Sequence, residues 1–137
     1  MIITIATQNR RQVVDLTNAL TEQARGRDGH MTLFVLHSTA AITTANLDPG
    51  TDLDLLDALA GMTPQLQWRH PHNPGHAPDH LLASIVGPSL IVPVNQGSIR
   101  LGEWQHIVLI DFAGPRECAI EVNFIEIPRR DEPAFQL

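Results

Sequence analysis

Apolar and polar positions alternate over residues 2–7, which predicts an opening strand. Residues 12–24 mix two patterns. Val13, Val14 and Leu16 suit a strand, whereas 18–25 is polar and helix-friendly, so a short strand should run into a short helix capped by Thr17 or Asn18. A turn is expected at 26–29. The nearly continuous apolar run MTLFVLH, 31–37, predicts a buried strand that ends on His37. The hydroxyl-rich stretch HSTAAITTANLDPG that follows reads as a loop. Over 51–61, Leu53, Leu56 and Leu59/Ala60 form a helical stripe behind a capping-box-like Thr51/Asp54 pair. Pro78 suits the first turn of a second helix over 79–86, which Gly87 and Pro88 should stop. Strands are expected at 90–94, 99–101, 104–112 and 118–127, with Asn95-Gln96-Gly97, Gly102-Glu103 and Gly114-Pro115-Arg116 as turns. The last residues, 128–137, read as a loosely held tail.

Strands outnumber helices and the helices cluster in mid-sequence. The expected class is therefore α+β, a single compact domain over 1–137 with a largely antiparallel sheet or sandwich and two or three short helices. No uncharged apolar run approaches the ~20 residues of a membrane span. The start, MIITIATQNRR, lacks the basic and then apolar pattern of a signal peptide, so a cytoplasmic protein is expected.

Composition narrows the chemistry. A net charge of −6 argues against a nucleic-acid binder with a basic face. All nine basic residues are arginines, and the missing lysine excludes Schiff-base chemistry and a Walker-type phosphate loop. Tyrosine is absent too, leaving His, Asp, Glu, Ser and Thr for proton work. Cys118, the single cysteine, cannot form an intrachain disulfide.

Four of the seven histidines crowd into WRHPHNPGHAPDH, residues 68–80. His76 and His80 have the spacing of a helical metal pair, but Pro78 lies between them and is accepted only in a first turn, so that pairing fails. His70 precedes Pro71 and should be extended. His72 and His76 could as easily face water. His37 is either a satisfied strand-end ring or part of a site with Ser38, Thr39, Thr43, Thr44 and the amides of the 38–41 loop, all donors to an anion. In GEWQHIVLIDFAGPR, Gln105, Ile107, Leu109 and Asp111 share one strand face. Asp111 and Arg116 form either a structural ion pair or a holder for a metal or phosphate. The other arginines lie in the tail (Arg129, Arg130) or in segments that read as surface (Arg10, Arg11, Arg25, Arg27), apart from Arg69 and Arg100. The acids Asp48, Asp52, Asp54 and Asp57 read as a solvated helix start.

Taken in order, HSTAAITT, a histidine before the Pro/Asn/Gly loop, DHLLASIVGPSLIVPV and GSIRLGEWQHIVLIDFAGPRE resemble the YjbQ-like family, also called the secondary thiamine-phosphate synthase family. The resemblance runs to about Ile127. It implies a compact α+β fold assembled as a homotrimer, and histidines at 37, 70 and 80 that converge near a metal. It also implies a reaction that joins a pyrimidine pyrophosphate to a thiazole phosphate with release of pyrophosphate. For that reaction Asp111, Arg116 and Gln105 are the expected catalytic residues, and Ser38, Thr39 and Arg116 the expected anion contacts. Three imidazoles favour zinc, whereas pyrophosphate chemistry more often uses magnesium. The sequence departs from the pattern at Asn46–Asp48, where relatives carry an Asn-Glu pair, at Asp111 in place of Glu, at Ala113 in the AGPR turn, and at the APDH segment. Two alternatives stand beside the synthase: a metal-dependent hydrolase of a small phosphorylated metabolite, and a metal- or anion-binding module without turnover.

Overall fold

In the computed structural model, residues 1–128 are described; the tail expected from 128 lies, from 129 onward, outside them. Eight strands and three helices follow in the order β1 (Ile2–Ala6), β2 (Gln12–Asp15), α1 (Thr17–Gln23), β3 (Gly29–Val35), β4 (Ala40–Ala45), α2 (Thr51–Gly61), α3 (Ala77–Val86), β5 (Ser89–Asn95), β6 (Ser98–Ile99), β7 (His106–Asp111) and β8 (Glu117–Glu126). They build a five-stranded sheet, β1-β8-β3-β5-β6, and a three-stranded sheet, β2-β7-β4. Every strand pairing is antiparallel, as the predicted class requires.

The three-stranded sheet is a middle layer. On β7, Ile107 and Leu109 face Met31, Leu33, Val35, Val92, Val94, Ile120 and Val122 of the larger sheet. Val108, Ile110 and Phe112 face Leu59 of α2 and Leu82 and Ala83 of α3. A strand covered on both faces has no polar side, which is why HIVLID reads as a continuous apolar run. Leu16 and Leu20 bring α1 against the first of these cores, and both are fully buried. Each such side chain contributes about 1.5–3 kcal/mol of burial.

Two expectations are corrected. Residues 40–45, read as loop, form β4 against β7, with Ala40 opposite Asp111 and Thr44 opposite Ile107. Ala40 and Ile42 enter one core and Ala41 the other, so the strand has no alternation to reveal it. Only Ser38 and Thr39 remain as turn, and Thr43 and Thr44 belong to the ladder. The helix caps also differ. Gly50, at φ 86°, precedes α2, and neither Thr51 nor Asp54 caps it through a side chain. Ahead of α1 it is Asp15 that accepts from the Thr17 amide, at 2.9 Å. Thr17 Oγ1 instead accepts the Ile107 amide and ties the helix to β7.

The outer face of the larger sheet mixes apolar and polar side chains, with Thr4, Ser89 and Asn123 exposed on it. Ile2, Phe34, Ile91 and Ile125 lie on it and are exposed. Among the described residues no helix is long and apolar enough to cross a membrane.

Candidate functional site

Asp111 ends β7 on the face that looks towards the larger sheet, and it is fully buried. A carboxylate there must be neutralised and saturated with donors. Thr7 Oγ1 donates to Oδ2 at 2.7 Å. Oδ1 accepts from Arg116 Nη2 at 2.9 Å, Arg116 Nε at 3.2 Å and the Ala113 amide at 3.1 Å. Thr7 Oγ1 in turn accepts the Arg116 amide, and the Thr7 amide donates to the Arg116 carbonyl. The AGPR turn is thereby laced to the end of β1. Gly114 is required for this closeness: a Cβ there would collide with the Asn9 carbonyl and lie 2.7 Å from Thr7 Oγ1 and 2.8 Å from Asp111 Oδ2.

Arg116 also donates from Nη2 to Thr39 Oγ1 at 2.7 Å. Its Nε–Nη2 edge is therefore spent inside the protein and cannot offer a phosphate two parallel bonds. The Arg116 side chain is about a quarter exposed (26%). Thr39 is buried and Ser38 is exposed.

His37 stands beside this cluster. Its Nε2 accepts the Ala119 amide of β8 at 2.9 Å. An amide can only donate, so Nε2 carries the lone pair and the neutral ring bears its proton on Nδ1. Burial holds its pKa below the ordinary value, the Arg116 charge lowers it further, and Asp111 pulls the other way. The unfolded chain therefore binds a proton at His37 more readily than the folded one. The stability this contributes is fully present above about pH 6.5 and is lost as pH falls through the lower folded value. Urea midpoints should drop on acidification below about pH 6.5, and His37→Gln, which can still accept the Ala119 amide, should reduce that slope. An unchanged slope in the variant would show that His37 is not the group responsible. Cys118 lies in the same region, and burial, followed by the Asp111 charge, raises its thiol pKa, which keeps it out of nucleophilic chemistry.

A second cluster lies at the start of α3. Asp79 is fully buried and receives Arg10 Nη2 at 3.0 Å and Arg11 Nη2 at 2.9 Å. His76 Nδ1 is 3.6 Å from the same carboxylate. Arg11 lies over the ring of Phe112 as well. Arg10 is exposed, as expected, whereas Arg11 is half-buried, and together they tie the β1–β2 connection to α3 through Asp79. The rings of His70 and His80 meet, with centroids 4.6 Å apart.

The profile described as UPF0047 protein YjbQ-like matches residues 1–127. The chain belongs to the YjbQ-like UPF0047 family. A UPF0047 protein of Mycobacterium tuberculosis is 40% identical over 122 residues, which cover 85% of this chain and 91% of that protein. YugU of Bacillus subtilis is 33% identical over 119 residues, with 82% and 88% covered. Among solved structures, a YjbQ/UPF0047 protein of Clostridium acetobutylicum matches with a TM-score of 0.82 at 31% identity, over 91% of this chain and 99% of that one. A hypothetical protein of Aeropyrum pernix matches with a TM-score of 0.84 at 29% identity, over 93% and 98%. These descriptions give a family and name no reaction.

The YjbQ-like motifs thus fall into two groups in space. Asp111, Arg116, Thr39 and His37 gather around the AGPR turn, with Ser38 adjacent in the chain. His70 and His80 gather at α3, beside the Asp79 lock. His72, at φ 69°, is exposed on the loop between. Gln105 is exposed, and its Oε1 accepts the Gly102 amide at 2.8 Å, so it closes its own turn before β7 begins. Among the described residues, no three or more His, Cys, Asp or Glu side chains stand close enough together to hold a metal ion. The three-histidine set does not fit a metal as arranged: only the rings of His70 and His80 touch, and the lone pair on His37 Nε2 is taken by the Ala119 amide. No sequence signal pointed to Thr7 or Asp79, because their partners are 104 and about 70 residues away.

Proposed function

We propose that this YjbQ-like protein is an enzyme acting on small phosphorylated metabolites, with thiamine-phosphate synthase-like activity. The observation that carries the reading is the partly exposed Arg116, held beside a carboxylate whose charge is already taken up inside the protein. The Asp111 carboxylate is consumed internally by four bonds. The exposed part of the Arg116 guanidinium, the Ser38 hydroxyl and the His37 Nδ1–H are left to meet a ligand, and these can donate to an anion. In the proposed reaction the thiazole nitrogen forms a bond to the methylene carbon of the pyrimidine pyrophosphate. The carbon–oxygen bond breaks, and pyrophosphate leaves with the electron pair. Donors fixed before the reaction stabilise that growing charge without reorganising. Arg116, oriented by Asp111 and Thr39, is the leading contact.

The His70–His80 pair favours a second reading, metal-dependent hydrolysis of a phosphorylated metabolite. Two imidazoles suit zinc better than magnesium. We place no step of the synthase reaction on that ion. The assembly is proposed to be a homotrimer, a reading supported by the exposed Ile2, Phe34, Ile91 and Ile125 on the outer sheet face, which subunit contact would cover.

Purified protein given the two phosphorylated precursors, with and without zinc or magnesium, decides between the readings. The proposal expects thiamine phosphate and pyrophosphate in equal amounts. Inorganic phosphate alone would support the hydrolase, and no turnover of either kind would reduce the protein to a binding module.

A further inference from the structure

A guanidinium that must be ordered when its ligand arrives binds weakly, because the lost side-chain freedom is subtracted from the affinity. Two contacts order the side chain of Arg116 in advance. Asp111 Oδ1 accepts from Nε and Nη2, and Thr39 Oγ1 accepts from Nη2. Neither contact fixes the main chain from which that side chain springs, and neither engages the second oxygen of Asp111.

Thr7, the residue after β1, does both. A hydroxyl carries one hydrogen and two lone pairs. The hydrogen has two acceptors in reach, Asp111 Oδ2 at 2.7 Å and the Arg116 carbonyl at 3.2 Å. The carboxylate is closer and charged, and the carbonyl already accepts the Thr7 amide at 2.8 Å, so the hydrogen goes to Asp111. A lone pair of the same oxygen accepts the Arg116 amide at 3.1 Å. One atom thus joins the main chain of Arg116 to the carboxylate that orients its guanidinium, through the oxygen that the guanidinium leaves unused.

We propose that Thr7 is a positioning residue for anion binding, its hydroxyl holding the Asp111 carboxylate and the Arg116 main chain in one geometry. The exposed part of the guanidinium is then oriented before a ligand arrives. Thr7 itself is 4% exposed and acts only through Arg116. The inference rests on the anion site proposed above. The competing account is a staple that holds the AGPR turn and adds stability alone.

Titration calorimetry with inorganic pyrophosphate separates the two. Thr7→Val keeps the shape and removes the hydroxyl, and should bind at least about five-fold more weakly than the wild type. Thr7→Ser restores the hydroxyl and should bind within about two-fold of it. Thr7→Cys has a weaker donor and acceptor, should fall between them, and serves where the valine variant does not fold. Leu20→Ala controls for lost stability. It empties a fully buried position on α1, which is tied to β7 at Ile107 rather than at Asp111, and should destabilise the fold while binding within about two-fold of the wild type. Wild-type affinity in the folded valine or cysteine variant, no recovery in Thr7→Ser, or an equal loss in Leu20→Ala would each overturn the positioning role. Failure of the wild type itself to bind pyrophosphate is a separate result, and it would overturn the anion site together with this role.

Discussion

Asp111→Asn should destabilise the fold by about 3–5 kcal/mol, the cost of removing one partner from a buried ion pair. Size and shape hardly change, so the loss isolates charge. The variant leaves the Arg116 guanidinium, on a side chain only 26% exposed, beside a neutral and fully buried neighbour, and it turns one carboxylate oxygen into an amide nitrogen that can no longer accept. Thr7 Oγ1, the Ala113 amide and two Arg116 nitrogens cannot all be satisfied by one carbonyl oxygen. The effect should spread to the AGPR turn and to the Thr39 contact, because Arg116 joins both. Chemical denaturation reads the stability change. A loss below about 1 kcal/mol would mean that the pair is screened like a surface salt bridge.

Asp79→Ala should be nearly as damaging, at about 3 kcal/mol, although its two arginines differ in how far they can retreat. The Arg10 side chain is more than half exposed (56%) and can return to water, whereas Arg11 is only 22% exposed and stays over Phe112 without a counter-charge. The variant also removes the acid from the first turn of α3, where it faces the positive end of the helix dipole. His80 is the next residue, so its pairing with His70 should loosen, and the zinc of the proposed hydrolase reading should be held less tightly. The same zinc measurement separates His80→Ala, expected to lose the metal, from His37→Ala, expected to keep it. Equal zinc loss from both histidine variants would restore His37 as a ligand.

Much of the fold was legible because its signals are local. The strand runs 31–37 and 104–112 and the turn Asn95-Gln96-Gly97 carry their own patterns, and α2 occupies the predicted 51–61. β4 was hidden by its environment: Ala40 and Ala41 face different cores, and small residues buried on both sides show neither alternation nor bulk. The capping box at Thr51 failed because Gly50 takes the turn with a positive φ, and the chain needs no side-chain cap there. In the site, Asp111 and Arg116 were recognisable as partners five residues apart across a turn. The Asp79 lock was not, since its arginines approach only once α3 has packed on the middle sheet. His37 marks a finer limit. Its position at a strand end was readable, but the direction of its ring, and so which nitrogen is free, depends on the Ala119 amide of a strand 82 residues away.

The anion site rests most directly on Arg116, and titration calorimetry with inorganic pyrophosphate tests it. Arg116→Lys keeps a positive charge for Asp111 but replaces the planar guanidinium with a single ammonium that cannot reach Asp111, Thr39 and a ligand at once. Wild-type protein should bind pyrophosphate saturably, and the folded lysine variant should bind it at least about ten-fold more weakly. Equal affinity in the two proteins would make Arg116 a purely structural partner of Asp111 and would contradict the proposed site.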